Sequence, residues 1–377
     1  MQIIYTQAGK FGGAGIGNIA YYFARALHQA GFLKQAIVAY EGKHDIPKPY
    51  IRSFPWMRIV ARLMRDNHPI RDTVFDKAAS YTLSSADIFH GWSHQCLQSL
   101  QRAKDLGAIT FVERQNSHDN FQYKLVQEEY NHWGFEKFQA VRPLGITRGL
   151  TEFELADFIT VPSKFVYDSF ITEGVDENKL FLVPYGVDIQ KFYPSPEKRD
   201  NSIFRLLFVG QVGLRKGVPY LLKAWQQLNL PNAELWLAGR VVPSAEQIII
   251  PYTQDLSIRF LGHVSDMQSL YHQVDTFVLP SIEEGSALVT YEAMACGLPL
   301  IYTFNTGAVA RNGIEGIEIP IRDVTALAAA IETLYLDSSL RQELGKAGQK
   351  RAKQFTWQLA GEKLIDAYAT ALQRKER

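Results

Sequence analysis

Two carboxylates eight positions apart, Glu284 and Glu292, and an adjacent cation pair, Arg215 and Lys216, are the residues whose types and spacing suggest chemistry on a phosphorylated ligand. The carboxylates frame a turn between an apolar run at 276–280, which reads as a buried strand, and a short helix that Gly297 and Pro299 close. The first N–H groups of a helix lack partners within it, so strand, tight turn and helix start make an anion site. Glu292 would lie about 6 Å along the axis past Leu288, at a rise of ~1.5 Å per residue. A ligand with a diphosphate on the helix end and hydroxyls on either side would use both carboxylates. Taken singly, each Glu reads equally as a charge–dipole contact worth about 0.3–1 kcal/mol. Arg215 and Lys216 lie in a glycine-bounded loop, Gly210 to Gly217, after an apolar strand. They offer a diphosphate a planar fork and a compact ammonium, though alone they would read as a solvated pair.

The elements that must position these groups follow from the rest of the chain. Its 377 residues are more than one ordinary core fills and suit two domains. A formal net charge of +1, with 21% charged residues, gives no global electrostatic case for nucleic acid. Cys96 and Cys296 have no metal-type spacing and read as small buried apolar residues of a reduced protein. No apolar run approaches the ~20 residues of a membrane span, and the opening residues read as a strand rather than a leader.

Short apolar runs alternate with helical patterns through the first half, which argues for a parallel α/β sheet. Strands are expected at 3–5, 36–40, 88–90, 109–112, 158–161 and 181–183. Gly15-Ile16-Gly17-Asn18-Ile19-Ala20 satisfies G-x-G-x-x-A, and Glu41 stands where a dinucleotide ribose acceptor would sit. That keeps an NAD-dependent oxidoreductase open, although the glycines begin several residues after the expected strand. They read equally as a loop that needs positive φ. From Pro55 to Asp66, the residues Trp56, Ile59, Val60, Leu63 and Met64 share one helical face, with Arg58, Arg62 and Arg65 around it. The plainer expectation is a core-facing helix with solvated arginines. The alternative is a helix lying on an anionic membrane surface or guiding an anionic acceptor. Glu113 follows a strand end, where open sheets place ligand groups. His118 and His90 stand nearby, and a lone histidine is as readily a hydrogen-bonded structural residue.

The string Ser281-Ile282-Glu283-Glu284-Gly285-Ser286-Ala287-Leu288-Val289-Thr290-Tyr291-Glu292-Ala293-Met294-Ala295-Cys296-Gly297-Leu298-Pro299 closely resembles the E-x7-E signature of the retaining GT-B glycosyltransferases, in particular family 4. Gly186-Val187-Asp188, with Phe192 and Pro194, resembles that family's crossing into its second domain. The resemblance covers nearly the whole chain, densely from about 154 to 357 and sparsely from 40 to 150. It implies an α/β GT-B fold of two Rossmann-like domains facing across a cleft. Residues 1–195 would form the acceptor side and 196–356 the nucleotide-sugar domain, with a linker at 195–201. A C-terminal helix, 357–377, would cross back onto the first domain.

The resemblance also implies roles. Glu284 would contact the donor sugar, the backbone of Gly285, Ser286 and Ala287 its hydroxyls, and Glu292 the ribose. Lys216, Arg215 and the helix N–H groups around Leu288 would hold the diphosphate. Gly13, Gly15 and Gly17 would approach the donor phosphate from the facing domain, and His263 would lie in the loop that holds the base. Glu113 stands where the family often carries an acceptor-side histidine, which directs attention to His118 and His90. Ala287 stands where a glycine is common, which bears on the sugar that fits. The expected function is retaining, metal-independent transfer of a hexose-type sugar from a nucleoside-diphosphate sugar to a glycan, lipid-linked or small-molecule acceptor, in cell-surface or exopolysaccharide synthesis. No cofactor beyond that co-substrate and no nucleic-acid partner are expected. A non-catalytic nucleotide-sugar-binding subunit is the other reading. The protein would be cytoplasmic, with peripheral contact at the inner membrane face through Pro55 to Asp66.

Overall fold

Runs of β-branched and aromatic residues, cut by glycine and proline, make two parallel sheets in the computed structural model, which describes residues 1–13, 15–64, 68–138, 143–195 and 202–375. Arg65 and Asp66, and positions 196–201 of the expected linker, lie outside the described residues. The first sheet holds β1 (Ile3–Phe11), β2 (Leu33–Glu41), β3 (Ile51–Ser53), β4 (Ile88–Trp92), β5 (Ile109–Glu113), β6 (Phe158–Val161) and β7 (Leu180–Leu182). Their spatial order is β3-β2-β1-β4-β5-β6-β7. The second holds β8 (Phe204–Val209), β9 (Ala233–Ala238), β10 (Ile258–Gly262), β11 (Thr276–Leu279), β12 (Leu300–Thr303) and β13 (Gly316–Ile319), in the order β10-β9-β8-β11-β12-β13.

β4, β5, β9 and β11 are buried along their whole length, as helices on both faces of a parallel sheet require. Each sheet changes its direction of winding once, between β1 and β4 and between β8 and β11. Open α/β sheets bind ligands beyond the carboxyl ends of strands at such a switch point. The loops after β8 and β11 carry Arg215, Lys216 and Glu284. The sheet order therefore brings together residues about 70 positions apart, at the place this architecture reserves for ligands.

The chain crosses between the domains twice, side by side. Beyond β7, the Val187 N–H donates to the Phe355 carbonyl at 2.8 Å, and Val187 pairs in parallel with Thr356. The Trp357–Lys375 helix then lies back on the first domain, burying Trp357, Leu364, Tyr368 and Ala371 in one cluster with Ile3, Phe23 and Phe111. Gly361 permits the approach, since a Cβ there would overlap Ala26 of the Ile16–Gln29 helix.

Two local expectations are corrected. β1 runs on to Phe11, so the glycine loop begins at the strand end rather than several residues later. The Met57–Leu63 helix does not turn one apolar face to the core. Met57 is buried and Val60 packs on the core, while Trp56, Ile59 and Leu63 face solvent.

Candidate active site

The loop after β8 closes on the loop after β11 through glycine. Gly217 has φ 68°, which a side chain rarely adopts, and a Cβ on it would overlap the Pro280 carbonyl. The backbones then join, with the Ile282 N–H donating to the Arg215 carbonyl at 2.9 Å. This contact delivers both cations to the turn that precedes the Leu288–Ala295 helix. Lys216 Nζ lies 2.5 Å from Glu284 Oε2, and Arg215 Nη1 pairs with Glu284 Oε1. Arg215 Nη1 also reaches Glu283 Oε2 at 3.2 Å and donates to the Glu283 carbonyl at 3.0 Å.

The charges tune one another. Burial alone would raise the Glu284 carboxyl, but Arg215 and Lys216 outweigh it and hold the group at about 2. Burial draws the Lys216 ammonium below its ordinary value against the pull of Glu284. Glu292 stands four residues into the same helix, where it accepts from the Tyr271 hydroxyl at 2.9 Å. Burial pushes its carboxyl up to about 7 despite that hydrogen bond. Within one turn region, one carboxylate is thus held ionised and another is poised to take a proton near neutrality.

The first domain closes directly over this turn. Ser117 donates to Glu283 Oε1 from its hydroxyl at 2.8 Å and its N–H at 3.2 Å, and Gln122 Nε2 donates to Glu283 Oε2 at 3.0 Å. The Ser163 hydroxyl donates to the Gly285 carbonyl at 2.5 Å, and a Cβ on Gly285 would overlap the Gln115 carbonyl. Leu288, the first residue of the helix, packs on the core of the first domain. A second bridge uses the Asp119–His132 helix, whose Glu129 accepts from the Tyr220 hydroxyl at 2.9 Å and from Arg322 Nε at 2.7 Å. Between this helix and the loop after β8 lies a cavity of about 120 Å³, lined by Val126, Tyr130, Phe138, Gln211, Arg215 and Lys216 among others.

The sequence-predicted residues divide accordingly. Glu284, Gly285, Ser286, Ala287, Leu288, Arg215 and Lys216 come together at the turn, with Ser286 Oγ 2.8 Å from the Tyr291 hydroxyl and the Ala287 N–H donating to Thr306. His263 is exposed just past β10, two strands from β8. Gly13 lies in the loop after β1, Gly15 caps the Ile16–Gln29 helix with φ 60°, and Gly17 is in that helix's first turn, where a Cβ would overlap the Lys10 carbonyl.

The acceptor-side candidates and His118 need correction. His118 is buried with its ring between Phe153 and Phe170, centroids 5.5 and 4.9 Å away, inside the first domain. Glu113 and His90 are wholly buried beneath the Trp357–Lys375 helix. Glu113 accepts from the Thr160 hydroxyl at 2.7 Å and the Tyr185 hydroxyl at 3.0 Å, while His90 Nδ1 lies 2.7 Å from the Tyr368 hydroxyl. Side chains alternate along a strand, and the last residue of β5 falls on the covered face rather than the cleft. His90 thus anchors the returning helix, and Glu113 lies 3.3 Å from the other ring nitrogen of His90. Sequence reasoning missed Glu283, Ser117 and Gln122, and the doubled carboxylate at 283–284 was the available signal.

Two facing Rossmann-like domains, with a terminal helix returning to the first, define a GT-B protein. Residues 203–337, most of the second domain, match the family model for glycosyl transferases group 1. Among curated proteins, the chain is 28% identical over 241 residues to the capsular polysaccharide biosynthesis glycosyltransferase CapM of Staphylococcus aureus, covering 58% of this chain and 63% of CapM. The matched stretch thus spans less than two thirds of that relative. Among solved structures, sucrose-phosphate synthase from Thermosynechococcus elongatus superposes with a TM-score of 0.73 at 20% identity, over 99% of this chain and all of that one. Anabaena HepE in complex with UDP-glucose superposes with a TM-score of 0.67 at 15% identity, over 98% of this chain and 100% of that one. At such identities the likeness establishes the fold.

Proposed function

We propose that the protein transfers a hexose-type sugar from a nucleoside-diphosphate sugar to a glycan, lipid-linked or small-molecule acceptor, with retention of anomeric configuration and without a metal. The observation that carries this reading is the convergence of Arg215 and Lys216 on Glu284 at the switch point of the second sheet. Breaking the bond between sugar and diphosphate leaves charge on the departing phosphate, and two preorganised cations in a dry site stabilise it as it forms. The diphosphate displaces Glu284 from the cations, and the freed carboxylate turns to the hydroxyls of the donor sugar. Glu292 takes the ribose hydroxyls. The acceptor arrives from the first domain and attacks on the face the leaving group departs from, its proton passing to the departing phosphate. The UDP-glucose bound by HepE and the polysaccharide role of CapM support a nucleotide-sugar donor and a saccharide product.

The cavity beside Lys216 is well below the ~300 Å³ at which ligand pockets begin, so the donor enters as the domains part and is enclosed as they close. The test is a thermal-shift panel of UDP-, GDP- and ADP-sugars, followed by release of nucleoside diphosphate with chelator present. One donor should raise the melting temperature and be consumed, with an axial or equatorial product bond matching the donor by NMR. No shift with any donor, or turnover that chelator abolishes, contradicts the reading.

A further inference from the structure

The solvent-facing stripe of the Met57–Leu63 helix has no role in the cleft. Trp56 is 44% exposed, Ile59 64% and Leu63 79%, at the spacing of one helical face. Ile70, in the following helix, is 44% exposed. Single exposed apolar residues are ordinary, whereas a contiguous patch marks an interaction surface. A neighbouring stripe of the same short helix meets the core through Met57 and Val60, so packing within the domain does not account for the outer one.

The charge around the patch selects its occupant. Between Asp45 and Asp66 the chain has no acidic residue and carries Lys48, Arg52, Arg58, Arg62 and Arg65, in a protein whose formal net charge is only +1. Lys48, Arg52, Arg58 and Arg62 are all exposed. Apolar anchors that include a Trp, flanked by arginines, match a bilayer interface with anionic headgroups. β3 runs parallel to its neighbours, so the helix that follows starts on the same rim as Ser117, where the domains meet.

We propose that this patch docks the protein on a lipid surface containing anionic headgroups, with the mouth of the interdomain cleft turned toward the membrane. The inference rests on exposure and charge and stands apart from the proposed transfer.

Full-length protein is sedimented with vesicles of phosphatidylcholine alone and of equal parts phosphatidylcholine and phosphatidylglycerol. It should bind the mixed vesicles, less so as salt rises, and not the neutral ones. Ile59→Asp with Leu63→Asp should abolish binding. Arg52→Glu with Arg62→Glu should weaken it at least tenfold, each lost cation contributing roughly fivefold. All four side chains are exposed, so both variants should melt with the parent and release nucleoside diphosphate from a soluble donor at its rate. Failure of transfer in solution would leave the vesicle result standing. No binding to the mixed vesicles, equal binding to neutral ones, or unchanged binding by the aspartate variant overturns the proposal. So does self-association in gel filtration that the aspartate variant removes without any vesicle binding, which would assign the patch to a second copy of the chain.

Discussion

Ser117 and Glu283, 166 positions apart, meet across the domain boundary, the Ser117 hydroxyl donating to the carboxylate at 2.8 Å. Glu283 is wholly buried and also accepts from Gln122 and Arg215. Its removal leaves Ser117 and Gln122 of the first domain without this acceptor. Glu283→Ala should lower stability by about 3 kcal/mol, the low end for breaking a buried pair, because Arg215 keeps Glu284. Urea denaturation measures this. A loss below about 1 kcal/mol would show that the clasp contributes little.

Gly285 admits no side chain while the first domain is seated, since a Cβ would run into the Gln115 carbonyl. Gly285→Ala should therefore keep the domains from closing while each retains its core. The expected result is a larger radius of gyration by small-angle scattering and a fall in transfer of at least roughly a hundredfold, as misplacement by about 1 Å produces. A variant with parental scattering and rate would show that closure tolerates the methyl group.

Removing one cation from the turn should slow chemistry. Lys216→Ala is expected to lose roughly 10²–10³ in kcat, the usual effect of deleting one preorganised group that meets developing charge. Glu284→Gln should divide the two steps differently. It abolishes transfer, yet free nucleoside diphosphate binds more tightly because no carboxylate competes for Arg215 and Lys216. Calorimetric titration of both proteins with the diphosphate decides the point, and weaker binding by the variant contradicts the displacement step.

The Glu292 carboxyl, raised to about 7 from an ordinary 4.5, fixes a pH dependence. The folded state holds this proton more tightly than the unfolded chain, so the group favours folding at low pH, and that advantage fades as pH rises from 4.5 through 7. Glu292→Gln should flatten the fall in melting temperature across that window. Parallel curves for the two proteins would show that Glu292 titrates normally.

Much of this fold is written in the chain as apolar runs of strand length, and the turn at 281–288 is marked by composition as well as spacing. What escaped has physical causes. β3 has only three residues, none fully buried, so it lacks a hydrophobic signal. Which of two adjacent carboxylates faces the partner domain depends on backbone direction at the turn, and Glu283, not Glu284, turns to Ser117. Glu113 ends β5 and His90 ends the apolar run expected at 88–90, positions that suggest a rim, whereas β4 runs on to Trp92 and both side chains point under the returning helix. For the Met57–Leu63 helix, periodicity merges two neighbouring stripes into one face, and only the packing of Met57 and Val60 separates the inner from the outer.

The side-by-side crossings at Val187 and Thr356 act as a pair of pivots set almost on one spot, and Gly186 sits so near Trp357 that a methyl group there would meet its backbone nitrogen. Two chains fastened together at one point can swing like the arms of tweezers but can scarcely slide or twist. Any such swing parts Ser117 from Glu283 and Ser163 from Gly285 in the same movement.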